Sequence, residues 1–426
     1  MKTSFARAAV AVCLLGSATV VTPAINPIAP AEAATATPAP SIKVSKPVAA
    51  QLDAAKKLMD ANDFASAVAL IKQTQALPSL TDSDQYAINI YLARAAINAN
   101  DFPTTESAAA AAIASPQLQD ADKEFLYAAA VFGSTRNKHY DQTIKYADLY
   151  NAMGKPPSFL VLASLAEAYY NMGDYPKAED FARKAIASKP GEAPNRGALS
   201  IIVNAQLKAK NQAGAQDTMR QILTYYNDPD DWAQMIDVSF NVRPMKEVEA
   251  LFLYRLRMAT KATANGADDY TIPANIAIGL GYAVEAKDIL DTGIAAGAVQ
   301  RNAAYNSIAD RAAKDRASIA SFDALARKTP TGDFDLRLAE TYYGYGRYAD
   351  AVEAANRALS KGTKIDPNEA KMVIGMSLAR QGKSAEAAAA FNGVNGTPAM
   401  NKAKEMWLLY ANAKYVSAPA AAAPAH

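Results

Sequence analysis

Histidine, cysteine and serine come first, because most hydrolytic and metal chemistry depends on them. The chain of 426 residues has two histidines, His139 and His426, and one cysteine, Cys13. Zinc needs three or four His, Cys or carboxylate ligands at helical or turn spacing, and two distant histidines do not supply them. A serine triad would need His139 as its base, and no Gly-x-Ser-x-Gly accompanies it. Glu106-Ser107 is the one Glu-Ser pair, the kind a lysozyme-like centre uses, but it falls in an alanine-rich segment that reads as helix. Gly344-Tyr-Gly346 and Gly279-Leu-Gly281 look like fragments of a phosphate loop, yet neither follows a strand pattern nor has the third glycine. Asp and Glu total 42, so carboxylates for glycan hydrolysis are present in type, without a spacing that singles out a pair. The expectation is no catalysis, no cofactor and no metal site.

Charge and hydropathy narrow the class further. Lys+Arg is 44, for a formal net charge of +2, which argues against a nucleic-acid binder. Half the residues are hydrophobic, enough for a large core. At the start, Lys2 and Arg7 precede an apolar run, Ala8–Val21, and then Ala31-Glu32-Ala33. This pattern predicts a signal peptide over 1–33; the run is shorter than the ~20 residues that span a bilayer. Cleavage would remove Cys13, in keeping with an oxidising compartment, periplasmic or secreted. No second apolar stretch is long enough to span a membrane. Residues 34–46 read as a flexible leader, and the Ala/Pro-rich 416–426 as a disordered tail.

The chain repeats itself. Leu165–Ile186, LAEAYYNMGDYPKAEDFARKAI, aligns without a gap on Leu338–Leu359, LAETYYGYGRYADAVEAANRAL. Leu165, Ala166 and Tyr169 share one helix face, Gly173 ends that helix, and Ala178, Ala182, Ala185 and Ile186 stripe a second one. Pro190 stops it. Such a hairpin cannot bury its own apolar face, so neighbours must stack on it. The small residue of each first helix is placed at Ala55, Ala93, Val131, Ala166, Val203, Val238, Ala274, Asn306, Ala339 and Gly375, a mean interval of about 36 residues. Asn306 is the wrong type for a close helix contact, and Asn302–Lys328 also reads as one longer helix.

These units resemble tetratricopeptide repeats. The resemblance implies an all-α solenoid, a superhelix of about ten hairpins, over residues 47 to about 394. Its parts would be an N-terminal array over 47–228, degenerate repeats over 229–330, and repeats plus a capping helix over 331–415. In the capping helix, Met406, Leu409 and Tyr410 are the expected apolar stripe. The resemblance further implies binding of a protein or peptide segment on a concave face lined by first helices. The slots for that face are Arg94, Phe132, Glu167, Tyr170, Asn204, Glu340, Tyr343 and Met376, flanked by Asn171 and Arg380. Ser200 and Asn204 approach a carboxylate clamp but lack its lysine. An enzyme acting on envelope glycan and a self-assembling structural protein are the rival classes. The oligomeric state is not legible.

Overall fold

The structure, a computed structural model, describes residues 42–263 and 266–415. The expected signal peptide, most of the leader and the tail lie outside the described residues. The chain divides into two compact units, Met1–Ala215 and Gln216–His426. Among the described residues there are only helices, and none is long and apolar enough to cross a membrane.

The first unit runs α1 (Lys46–Asp60), α2 (Phe64–Gln75), α3 (Asp82–Asn98), α4 (Phe102–Ile113), α5 (Asp120–Arg136), α6 (Tyr140–Asn151), α7 (Phe159–Asn171), α8 (Tyr175–Ala187) and α9 (Arg196–Lys208), and reaches the start of α10 (Gln212–Tyr225). Consecutive helices pair, and α3, α5, α7 and α9 also touch one another in order, so the first helices form one layer. The second unit holds α11 (Pro229–Ser239), α12 (Glu247–Thr260), α13 (Asp268–Gly279), α14 (Ala283–Ala295), α15 (Ala303–Lys328), α16 (Asp333–Gly344), α17 (Tyr348–Lys361), α18 (Pro367–Arg380), α19 (Ser384–Asn392) and α20 (Pro398–Ala411). Here α14, α16, α18 and α20 form the continuous layer.

One backbone device sets every clear hairpin. Asn62, Asn100, Lys138, Gly173, Lys210, Gly281, Gly346 and Gly382 all have φ between 58° and 92°. The amide of the next residue then donates to the carbonyl five positions back, as from Asp63 to Leu58 at 2.8 Å and from Asp174 to Tyr169 at 2.9 Å. This is the Schellman closure, and it reverses the chain in a fixed direction. Glycine takes that conformation freely, while lysine takes it at a cost.

Packing follows from the small residues. Ala55, Ala93, Val131, Ala166, Val203, Ala274, Ala339 and Gly375 are buried. A Cβ on Gly375 would stand 2.5–2.7 Å from the Phe391 ring, so the glycine is the room that this ring occupies.

Two expected repeats do not have the hairpin form. Val238 lies at the end of α11 and is only half-buried; Trp232, Met235 and Ile236 make that helix's contacts. The segment that follows, Asn241-Val242-Arg243-Pro244, stops the helix before a full repeat can form. Asn306 is exposed on α15, one helix of 26 residues. No glycine or proline interrupts 303–328, so nothing turns the chain there. In α20 the buried stripe is Ala399, Met400, Ala403, Met406, Trp407 and Ala411; Leu409 and Tyr410 are half-buried, one register away from expectation.

Lys138→Gly and Lys210→Gly should each raise the unfolding free energy by about 0.5–1 kcal/mol, and Gly173→Ala should lower it by at least as much. Gly375→Val should cost about 2–3 kcal/mol through overpacking against Phe391. Urea melts followed by circular dichroism read all four; an unchanged midpoint for the lysine variants would refute the strained-turn account.

Candidate functional site

In the first unit the first-helix layer carries six of the ten expected residues. Arg94 on α3 holds its guanidinium 4.3 Å from the Phe125 ring and 4.0 Å from Asp122, whose other oxygen accepts the Tyr86 hydroxyl at 2.9 Å. Phe132 on α5 meets Phe102 edge-on at 5.6 Å. Glu167 on α7 faces Arg136 across 3.5 Å, and Arg136 lies over Phe102. The Glu167 side chain is 14% exposed, and its Oε2 is buried with no hydrogen-bond partner. Burial raises its pKa, and Arg136 only partly opposes this. Tyr170 packs against Tyr175 at 5.7 Å and stays half-buried. Asn171 and Asn204 are exposed; the Asn171 amide donates to the Glu167 carbonyl at 2.8 Å. The charged partners Asp122 and Arg136 escaped sequence reasoning, because a repeat frame marks faces and does not pair charges across helices.

The second unit treats the same slots differently. Glu340, Tyr343 and Met376 are buried, so they do not form an open lining as expected; Arg380 alone is exposed, with its guanidinium over Tyr348. The physical reason is α12. Its Leu251, Phe252, Leu253 and Leu256 are fully buried, and Glu249, Arg255 and Arg257 are buried beside them, so the helix needs both apolar cover and charged partners. From α12, Arg255 reaches α14 and α16 together. Its Nε and Nη2 donate to the two oxygens of Glu285, each at 2.7 Å, and its Nη1 donates to Glu340 Oε2 at 2.5 Å. The guanidinium lies 4.5 Å from the Tyr343 ring centre. Burial works against the charged guanidinium, but the two glutamates more than offset it, and its pKa is raised. From α20, the Trp407 indole donates to the Phe252 carbonyl at 2.8 Å, and Thr397 donates to Glu249 at 2.6 Å. The sequence signal was available: VEALFLYRLRM sets Glu249, Arg255 and Arg257 among bulky apolar residues.

His139 occupies the N-cap position of α6 and is exposed. Its Nδ1 lies 2.9 Å from Glu106 Oε1, and Asn137 donates to Glu106 Oε2 at 2.5 Å. Ser107 donates to the Thr104 carbonyl at 3.2 Å. Among the described residues no group of three or more His, Cys, Asp or Glu side chains is placed to hold a metal ion.

Arg255→Met should destabilise the second unit by about 3–5 kcal/mol, since it leaves Glu285 and Glu340 buried without their counter-charge. Adding Glu285→Leu and Glu340→Leu should recover most of that loss in the same urea melt. A pH signature also follows. Burial and the nearby Glu340 push Glu369 up to about 7. The folded chain therefore holds this proton more tightly than the unfolded chain. Its stabilising contribution is full below pH 4.5 and is lost as pH rises through about 7. Glu369→Gln should flatten that part of the stability profile; a profile identical to wild type would exclude Glu369 as its source.

Comparison with known proteins agrees with the repeat geometry. The tetratricopeptide repeat model matches residues 308–370 and 336–397, and a second model of the same description matches 160–184. No curated protein matches the chain. Among solved structures, a tetratricopeptide repeat protein from Parabacteroides merdae is similar at 13% identity, over 76% of this chain and 98% of that one, with a TM-score of 0.26. Naa15/Naa10 bound to HypK-THB is similar at 13% identity over 86% of this chain and 55% of that one, with a TM-score of 0.27. The chain is thus an all-helical solenoid of paired helices that matches the tetratricopeptide repeat over residues 160–184 and 308–397.

Proposed function

We propose that the chain is an exported, non-catalytic scaffold that binds a protein or peptide segment along the first-helix layer of its first unit. One contrast carries this reading. In the second unit Glu340, Tyr343 and Met376 are buried and Glu340 and Tyr343 are taken up by the chain's own Arg255, whereas in the first unit Arg94, Phe132, Glu167 and Tyr170 are half-buried and Asn171 and Asn204 exposed. That face mixes aromatic rings, amides and paired charges, a composition suited to an adaptable protein contact. The repeat family points the same way, and export rests on the amino-terminal pattern of Lys2, Arg7, Ala8–Val21 and Ala31-Glu32-Ala33.

Photo-crosslinking tests the face. A photoreactive phenylalanine analogue at position 170 should trap discrete partners from cell-envelope extract, and the same group at exposed Leu149, on second-layer helix α6, should not. Equal trapping at both positions, or none at 170, would sink the reading. Tyr170→Ala should weaken binding and lower the melting temperature by much less than a change at a fully buried helix contact. Ala178→Trp, at a fully buried helix contact, should lower the melting temperature by several degrees.

A further inference from the structure

The two clearest repeats place the same residues at the same positions, but only one copy has its occupant. Glu167, Tyr170 and Tyr175 align with Glu340, Tyr343 and Tyr348. The tyrosine pairs have nearly one geometry: 5.7 Å and 58° for Tyr170 with Tyr175, and 5.4 Å and 60° for Tyr343 with Tyr348. Both glutamates carry a pKa raised by burial. In the second unit this constellation grips an arginine, which donates to the carboxylate at 2.5 Å and lies 4.5 Å from the Tyr343 ring. That arginine belongs to an apolar helix. Each carboxylate keeps one buried oxygen without a hydrogen-bond partner, Glu167 Oε2 and Glu340 Oε1; what differs is that Glu167 has only the 3.5 Å ion pair with Arg136 and no short bond from a guanidinium.

Resting on the reading of the first-unit face above, we infer that Glu167 and Tyr170 form a receptor for an arginine presented by an apolar helix of the partner, as Glu340 and Tyr343 receive Arg255. Glu167 Oε2 accepts the incoming guanidinium. The Tyr170 ring takes its plane through a cation–π contact. Arg136 stays on the opposite oxygen, giving an arginine–glutamate–arginine triad, an arrangement known for buried ion clusters. The carboxylate then gains the short charge-assisted bond that it lacks.

The chain supplies its own probe. A fluorescein-labelled peptide of residues 246–261, KEVEALFLYRLRMATK, is titrated with the full-length protein and followed by anisotropy, alongside the same peptide with Arg255→Met. The arginine peptide should bind, and the methionine peptide should bind about ten-fold or more weakly. Glu167→Gln in the protein should weaken the arginine peptide by a similar factor and leave the methionine peptide unchanged. Tyr170→Leu, which keeps an apolar side chain there, should weaken the arginine peptide several-fold and serves as the second variant if Glu167→Gln unfolds. No binding to wild-type protein, equal binding of the two peptides, or binding indifferent to Glu167→Gln overturns the inference. So does a loss caused by Arg136→Gln but not by Glu167→Gln, which would mark an acidic ligand instead. If position 170 traps partners while the peptide ignores Glu167, the face reading stands and the arginine receptor falls; no trapping at 170 removes both.

Discussion

A pair of helices twelve or so residues long has more apolar surface than the pair can hide, and everything else in this protein answers to that shortage. Each hairpin borrows cover from the next, so close approach between helices becomes the controlling requirement. Ala166 and Ala178 are fully buried, and Gly375 leaves the space that the Phe391 ring fills. Stability in such an array comes from interfaces between units more than from any one unit. Residues that set spacing are thus interior and small, and residues free to vary sit on the faces.

The first unit extends this borrowing from neighbour to neighbour, and the second closes on itself. Its central helix, α12, is surrounded by packing partners, and Arg255, one of its two buried arginines, ties α14 to α16. A buried ion cluster of this kind is a weak source of net stability, because desolvation consumes most of the attraction. Its use is positional: only one placement of α12 brings Arg255 to Glu285 and Glu340 at once. The slots that would otherwise line a groove are spent on the protein's own core.

Much of this was legible in the sequence. The alignment of Leu165–Ile186 on Leu338–Leu359 fixed the hairpin frame, and most of the small residues counted from it are buried as expected. The frame failed where local chemistry differed. Lys138 and Lys210 adopt the left-handed turn without the glycine that announces it. Of the two readings open for Asn302–Lys328, a repeat around Asn306 or one longer helix, the second holds, since no glycine or proline interrupts 303–328. The candidate site was half legible. Positions on a helix face follow from spacing, so Glu167, Tyr170 and Asn204 were placed; what covers a face comes from distant sequence, so the fate of Glu340, Tyr343 and Met376 was not.

The contacts that close the second unit join residues far apart along the chain. Trp407 donates to Phe252 across 155 positions, and Thr397 to Glu249 across 148. Short-range hairpins can form as they leave the ribosome, whereas these pairings must wait for α20 to be synthesised. During that interval the greasy rod of α12 stands without its lid. Quality control of this protein therefore turns on the interval between the synthesis of α12 and that of α20, and a chain stopped before α20 would expose its stickiest segment.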